Sequence, residues 1–199
     1  MIPINTLLEA YRVGFFPMAV GGRLGWYSPQ NRGVLPLDQF HTPRRLKRLV
    51  RQGQFQTTVN QDFHRVIRAC AARPDDAGNW IDDEITWSYC ALHERGYAHS
   101  VEVWSEKVLV GGLYGVSIRG AFFGESMFHT RTDASKVALC SLVDRLQARG
   151  YRLLDIQWLT HHLSQFGAIE VSRHQYLRRL AMAMETDCEF VDHSEPEER

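Results

Sequence analysis

The 199-residue chain has no Cys-X-X-Cys pair, and its four cysteines, Cys70, Cys90, Cys140 and Cys188, are scattered. Neither a structural zinc nor a disulfide framework is expected, and free thiols fit a reducing, cytoplasmic setting. Nine histidines include the pair His161-His162, yet no HxxxH or HExxH spacing occurs, so no metal and no cofactor is expected. There is no GxxxxGK[ST], which excludes a P-loop for nucleotide hydrolysis. No uncharged run approaches the roughly 18 residues of a membrane-spanning helix. The N-terminal stretch has Glu9 and Arg12 within its periodic part and lacks the basic leader and apolar run of a signal peptide. Net charge is absent too, but the balance is uneven. From Glu185 onward seven acidic residues face one arginine, which leaves +6 on the rest of the chain. Arg44, Arg45, Lys47, Arg48 and Arg51 follow one another with no acidic residue among them, so a polyanionic partner fits despite overall neutrality.

What is present centres on Val110 to Phe128, VGGLYGVSIRGAFFGESMF. It reads as two strands joined tightly at Arg119-Gly120. Gly111, Gly112, Gly115, Gly120 and Gly124 fall within it, and glycine weakens a strand, so a close approach to the backbone is expected, with the glycines flooring an apolar groove. Glu125 lies among Phe123 and Met127, where an unpaired carboxylate is costly, so it must meet a cation, either a structural one such as Lys136 or one brought by a substrate. Asp155 and Gln157, two apart in LLDIQW, leave one face of the next strand. Leu154 and Ile156 flank Asp155, so the carboxylate is expected to be buried and hence either functional or paired with an arginine such as Arg152.

In chain order, residues 5–13 predict a short helix with Asn5 as N-cap, and a glycine- and proline-rich loop with turns to about residue 33 completes a small N-terminal subdomain. Thr42-Pro43 starts a basic helix with Leu46, Leu49 and Val50 inside. Then follow a strand (55–60), a helix (62–72), a loop with the sequence DDAGN, a helix (82–95), three consecutive strands, a helix (133–149), the strand LLDIQWL, a short helix (160–166) and a last helix (172–184). This order indicates an α/β (α+β) mixed sheet with helices on both faces over 34–190, followed by an acidic tail, 191–199. The order resembles the acetyltransferase-like, or GNAT-like, fold. Trp80 follows the polar loop and offers a stacking surface for a base.

The segments FFPM, WYSP, TPRRLKR, NWI, ALHERGYAHSVEVW, LVGGLYGV, FFGESMF, DASKVAL and LLDIQW succeed one another with the spacing of leucyl/phenylalanyl-tRNA–protein transferases. The resemblance covers roughly residues 10 to 180, and it implies a small N-terminal domain on a GNAT-like domain. It also implies transfer of leucine or phenylalanine, with methionine a third candidate, from aminoacyl-tRNA to proteins beginning with arginine or lysine, which marks them for N-degron degradation. Carried over by motif, Asp155 and Gln157 match the catalytic pair, and Glu125, with Asp155, the acceptor-peptide site. Leu113, Phe122, Met127, Leu142 and Leu154 match the pocket for the amino-acid side chain. Trp80 matches a residue stacked on the terminal adenine, with Tyr89 close by, and the basic residues of 44–51 match a cluster holding the tRNA backbone. Met18 stands where many members have a tryptophan that completes a sandwich around the adenine.

Two other readings compete. A CoA-dependent acyltransferase on the same fold needs a glycine-rich pyrophosphate turn before the helix at 133, and HTRTDASK contains no glycine. A non-catalytic tRNA-binding module would use the basic helix but leave Asp155 and Gln157 without a task.

Overall fold

A computed structural model of the protein describes residues 1–72 and 80–191. The loop DDAGN and most of the expected acidic tail lie outside the described residues. Helix α1 (Ile4–Arg12) packs on a hairpin of β1 (Phe16–Val20) and β2 (Arg23–Tyr27), with Met18 opposite Gly25. This hairpin replaces the expected loop. Gly21 and Gly22 join its strands with φ of 59° and 73°, the positive values that a two-residue turn matched to strand twist requires. Pro3, not Asn5, occupies the N-cap of α1, with no side-chain cap.

Strand β3 (Asn31–Val34) then enters a seven-stranded mixed sheet. The basic helix α2 (Arg44–Arg51) follows, with Pro43 as N-cap in place of the expected Thr42. It buries Leu46, while Val50, expected inside, is exposed. Next come β4 (Gln56–Val59), α3 (Phe63–Ala71) capped by Asp62, and α4 (Asp83–Glu94) capped by Asp82. Strands β5 (Ala98–Ser105), β6 (Val108–Ile118) and β7 (Ala121–His129) form consecutive antiparallel pairs. Helix α5 (Ala134–Ala148) crosses over to β8 (Leu153–Gln157), which pairs parallel to β7. After α6 (His161–Ser164) come β9 (Ile169–Ser172), which was not expected, and α7 (Arg173–Met184), which opens with a full capping box from Ser172 and Gln175. The sheet order is β4-β5-β6-β7-β8-β3-β9. The strand–helix–helix–three strands–helix–strand–helix order read from the sequence is therefore present, with β3 inserted from the N-terminal side. Among the described residues no helix is long and apolar enough to cross a membrane.

Two apolar layers flank the sheet. Residues of α1, α3, α4 and α7, including Leu7, Phe63, Ile85 and Leu180, form one core, and α5 supplies most of the other through Val137, Leu142 and Val143. Strand β6 serves both by its period of two, with Leu113 towards α5 and Tyr114 towards α3 and α4.

Two irregularities prepare a site in the middle of the sheet. Tyr114 pairs with Ser126 and Gly115 with Gly124, so Glu125 is the extra residue of a β-bulge in β7. Strands β7 and β8 pair only from Ala121/Leu153 to Phe123/Asp155, and beyond that point they separate. The glycines are used differently from expectation. A Cβ at Gly111 would meet Ala134 of α5 at 2.6 Å, and one at Gly120 would meet the Ala183 carbonyl oxygen of α7 at 2.9 Å, so the protein's own helices fill those gaps. Of the five, Gly124 lines the cavity described below.

At Gly115 a Cβ would sit 2.3 Å from the carbonyl oxygen of Phe123 and 2.4 Å from the Phe122 ring. Gly115→Ala is therefore expected to push β6 and β7 apart at the bulge and to cost about 1–3 kcal/mol of overpacking, read as a lowered urea midpoint.

Candidate active site

Asp155 has no exposed surface, as its apolar neighbours predicted, but its partner is Arg32 of β3 rather than Arg152. The guanidinium Nε donates to Oδ1 at 2.9 Å and Nη2 to Oδ2 at 2.7 Å, a two-pronged contact with both residues buried. Oδ2 also accepts from the Tyr176 hydroxyl at 2.8 Å, and Oδ1 from the backbone N–H of Gln157 at 2.9 Å. Arg32 in turn donates Nη1 to the Gly14 carbonyl at 3.1 Å and lies between the rings of Phe16 and Tyr176, 4.6 and 4.4 Å from their centres. Burial opposes the guanidinium charge, yet Asp155 beside it holds its pKa above the ordinary value. Both oxygens of Asp155 are thus occupied. It binds Gln157 in place but does not line the cavity itself.

Gln157 ends β8 with φ of 58°, a left-handed backbone that a non-glycine residue adopts only under local restraint, and the bond to Asp155 supplies that restraint. This backbone aims its amide at the bulge, where Nε2 donates to Glu125 Oε1 at 3.2 Å. Glu125 meets no cation among the described residues, and Lys136 bonds to Asp133 instead, at 2.6 Å. What surrounds Glu125 is phenolic. The Tyr11 hydroxyl donates to Oε1 at 2.8 Å, the Tyr89 hydroxyl stands 3.2 Å from Oε2, and the two hydroxyls are in short contact with each other. Burial pushes the Glu125 pKa up to about 8, and the tyrosine hydrogen bonds only partly oppose this. Both tyrosines are held well above their usual value, chiefly by burial, and keep their protons.

Glu125 and Gln157 border a cavity of about 480 Å³ that opens where β7 and β8 separate. Leu113, Met127, Leu142 and Leu154 line it as expected, joined by Leu139 and Ile156. Phe122 lies behind the wall, stacked on Phe190 at 5.1 Å. Phe16, Met18, Trp80 and Trp158 also belong to the lining. Tyr89, expected near the terminal adenine, is fully buried and leaves no ring face for a base; its hydroxyl serves Glu125. Ser126 Oγ and His162 Nε2, both in residues of the lining, are buried without a hydrogen-bond partner among the described residues. Burial lowers the His162 pKa, so the ring enters the neutral range uncharged. The basic helix α2 is tied to the start of α5, next to the cavity residue Ser135, through Arg45 Nη2 and Asp133 Oδ2 at 3.1 Å. Arg45 itself is 78% exposed, so its charge stays available to solvent.

Sequence reading missed Arg32, Tyr11, Tyr176 and His162. Arg32 carried no signal, because its segment reads as a turn. Tyr11 lies on the buried apolar face of α1, where a helix pattern gives no hint of its hydroxyl's partner.

A bulged mixed sheet with an amide and a carboxyl at the edge of an apolar cavity suits transfer of an apolar acyl group. Models of two domains match the chain: the leucyl/phenylalanyl-tRNA protein transferase N-terminal domain over residues 2–30, and leucyl/phenylalanyl-tRNA protein transferase over residues 34–181. A leucyl/phenylalanyl-tRNA–protein transferase of Maricaulis maris is 52% identical over 190 residues, covering 94% of this chain and 88% of that protein. One of Gloeobacter violaceus is 50% identical over 188 residues, covering 94% and 96%. Among solved structures, that of L-PGS from Bacillus licheniformis matches with 13% identity and a TM-score of 0.43, over 81% of this chain and 55% of that one. The chain belongs to the leucyl/phenylalanyl-tRNA–protein transferase family, a family of aminoacyltransferases.

Two measurements test the site's construction. Arg32→Met strands a buried carboxylate and is expected to cost about 3–5 kcal/mol in urea unfolding. Glu125 gives a pH signature. The folded protein keeps its proton to about pH 8, whereas an unfolded carboxyl loses it near 4.5. Its contribution is therefore full below the lower value and declines as pH rises through the upper one. Between pH 5 and 8 the melting temperature of the wild type should fall relative to that of Glu125→Gln. Parallel profiles would show that the carboxyl titrates normally.

Proposed function

We propose that the protein transfers leucine or phenylalanine from aminoacyl-tRNA to the free α-amine of proteins beginning with arginine or lysine, in the cytoplasm, as a step of N-degron degradation. The observation that carries this reading is the Gln157 amide, fixed by Asp155 and bonded to Glu125 at the rim of a largely apolar cavity. The aminoacyl side chain enters among Leu113, Met127, Leu142 and Leu154. The terminal adenosine stacks on Trp80, with Met18 facing it across the mouth, and Arg44, Arg45, Lys47, Arg48 and Arg51 hold the tRNA backbone.

The chemistry asks for positioning above all. Aminolysis of an aminoacyl ester runs downhill, so the protein's task is to align an amine with the ester carbonyl and to manage two protons. Gln157 spends its Nε2 on Glu125, which leaves the amide oxygen to accept from the incoming amine. An amide oxygen is a poor base, so Gln157 orients the amine, and the tRNA 2′-hydroxyl relays its proton to the leaving 3′-oxygen. Asp155, with both oxygens occupied, acts through Gln157 and not on the acceptor, which leaves Glu125 as the carboxyl that meets the acceptor's basic side chain.

The test is leucyl-tRNA incubated with two peptides, one starting with free arginine and one acetylated, with the peptide mass followed. Leucine is expected on the free peptide alone. Gln157→Ala should lower kcat by about 10²-fold with little change in tRNA affinity, and a 2′-deoxy donor should react far more slowly. Transfer to neither peptide would refute the transferase reading, and full activity in Gln157→Ala would remove the positioning role.

A further inference from the structure

Tyr11 of α1, Tyr89 of α4 and Glu125 of β7 form a triangle of three oxygen–oxygen contacts, one between the hydroxyls and one from each hydroxyl to a different carboxyl oxygen. Each contact needs one proton to be attractive, since two facing lone pairs repel. The tyrosines supply two. With an ionised carboxylate, one of the three contacts has no proton, whichever way the hydroxyls turn. A third proton, on the carboxyl, closes the ring. The Gln157 amide settles its direction. Oε1 already accepts from Gln157 Nε2 and from Tyr11, so the proton belongs on Oε2. Oε2 then donates to Tyr89, Tyr89 to Tyr11, and Tyr11 to Oε1.

We propose that Glu125, Tyr11 and Tyr89 share three protons in a closed ring in the empty enzyme, and that the acceptor's cationic side chain opens it, displacing one proton to solvent. This rests on the acceptor role of Glu125 proposed above. The exchange balances, because a neutral acid and a bound cation become an ion pair plus a free proton, and no covalent bond other than the carboxyl O–H changes. The remaining groups around the carboxyl do not neutralise it. Asp155 and Arg32 satisfy each other, Tyr176 bonds to Asp155, and His162 in the cavity lining is uncharged in the neutral range. Tyr11 and Tyr89 hold their phenolic protons far above neutrality and can serve only as donors and relays. Such a ring gives acceptor recognition a sensitivity that a standing carboxylate lacks. Neutral N-terminal residues cannot displace the proton, and an empty site does not hold a bare negative charge next to an ester bond.

Infrared spectroscopy of the full-length protein reads the proton directly. The probe is a peptide headed by a 5-guanidinopentanoyl group, which has the arginine side chain without its α-amine, so that any proton released comes from the protein. At pH 6.5 a protonated-carboxyl band should be present in the wild type and absent in Glu125→Gln. It should vanish as the pH is raised past about 8 and also when the peptide is bound at pH 6.5. Calorimetry in buffers of different ionisation enthalpy should show a single proton released per peptide. Peptide affinity should weaken by about tenfold for each pH unit below the carboxyl's pKa. Should Glu125→Gln fail to fold, Tyr11→Phe keeps the carboxyl, opens the ring and should shift the band without abolishing it. The absence of a band at pH 6.5 overturns the ring, and a band that survives peptide binding, or a peptide that does not bind, overturns its coupling to the acceptor. Band and proton release intact without leucine transfer would uphold the ring and count against the transferase reading instead.

Discussion

The pairing of Arg32 with Asp155 is the constraint on which the rest of the site depends. Burying two charges costs several kcal/mol per ion unless every remaining hydrogen-bonding capacity is met. Here it is met from five parts of the chain: the guanidinium fork from β3, the Tyr176 hydroxyl from α7, the Gly14 carbonyl after α1, the Phe16 ring of β1, and the Gln157 N–H at the end of β8. None of these elements can shift without breaking a contact to a buried charge. The pair therefore fixes the register in which β3 enters the sheet, with Val34 opposite Asp155, and holds the N-terminal hairpin against the catalytic sheet.

The two carboxyls, about one strand apart, have opposite fates because their surroundings differ. Asp155 is matched by a cation and by donor contacts from Arg32, Tyr176 and the Gln157 backbone, and it stays out of the cavity. Glu125 sits on a bulge, which re-aims its side chain away from the regular pleat, and it meets phenols and an amide but, among the described residues, no cation. Paired acid groups whose environments push them apart are a recurrent way of dividing labour at one site. In this protein one carboxyl shapes the backbone, and the other faces the cavity with no cation beside it among the described residues.

Much of this was legible in the sequence. The strand and helix order from residue 55 could be read from periodicity, and burial of Asp155 followed from Leu154 and Ile156. The groove lining of Leu113, Met127, Leu142 and Leu154 followed from the resemblance. The rest was hidden for physical reasons. The partner of Asp155 is 123 positions away, and no local pattern encodes a contact at that separation. The N-terminal hairpin has only five-residue strands joined by Gly21-Gly22, and the surrounding glycines and prolines read as loop. The glycines of β6 looked like a ligand floor but accommodate α5 and the bulge, because close approach to a backbone leaves the same signature whether a substrate or a helix makes it. The resemblance puts Tyr89 beside the adenine site of Trp80, whereas α4 buries its ring and brings its hydroxyl to Glu125.

The apolar cavity sets a limit on what the protein can choose. Each methylene in such a pocket is worth about 1–3 kcal/mol, so leucine, phenylalanine and methionine cannot be separated sharply by burial alone. A buried polar group is more discriminating, because leaving it unpaired costs its full desolvation. The cavity has two such groups, Ser126 Oγ and His162 Nε2, and neither has a partner among the described residues. A donor that satisfies them gains what an apolar side chain cannot offer, and the ribose and ester oxygens of an aminoacyl-adenosine are acceptors and donors of the right kind. The division follows from the walls themselves. Under the function proposed above, the leucine-lined part would take the side chain, and the polar atoms with the fixed Gln157 amide would hold the ester.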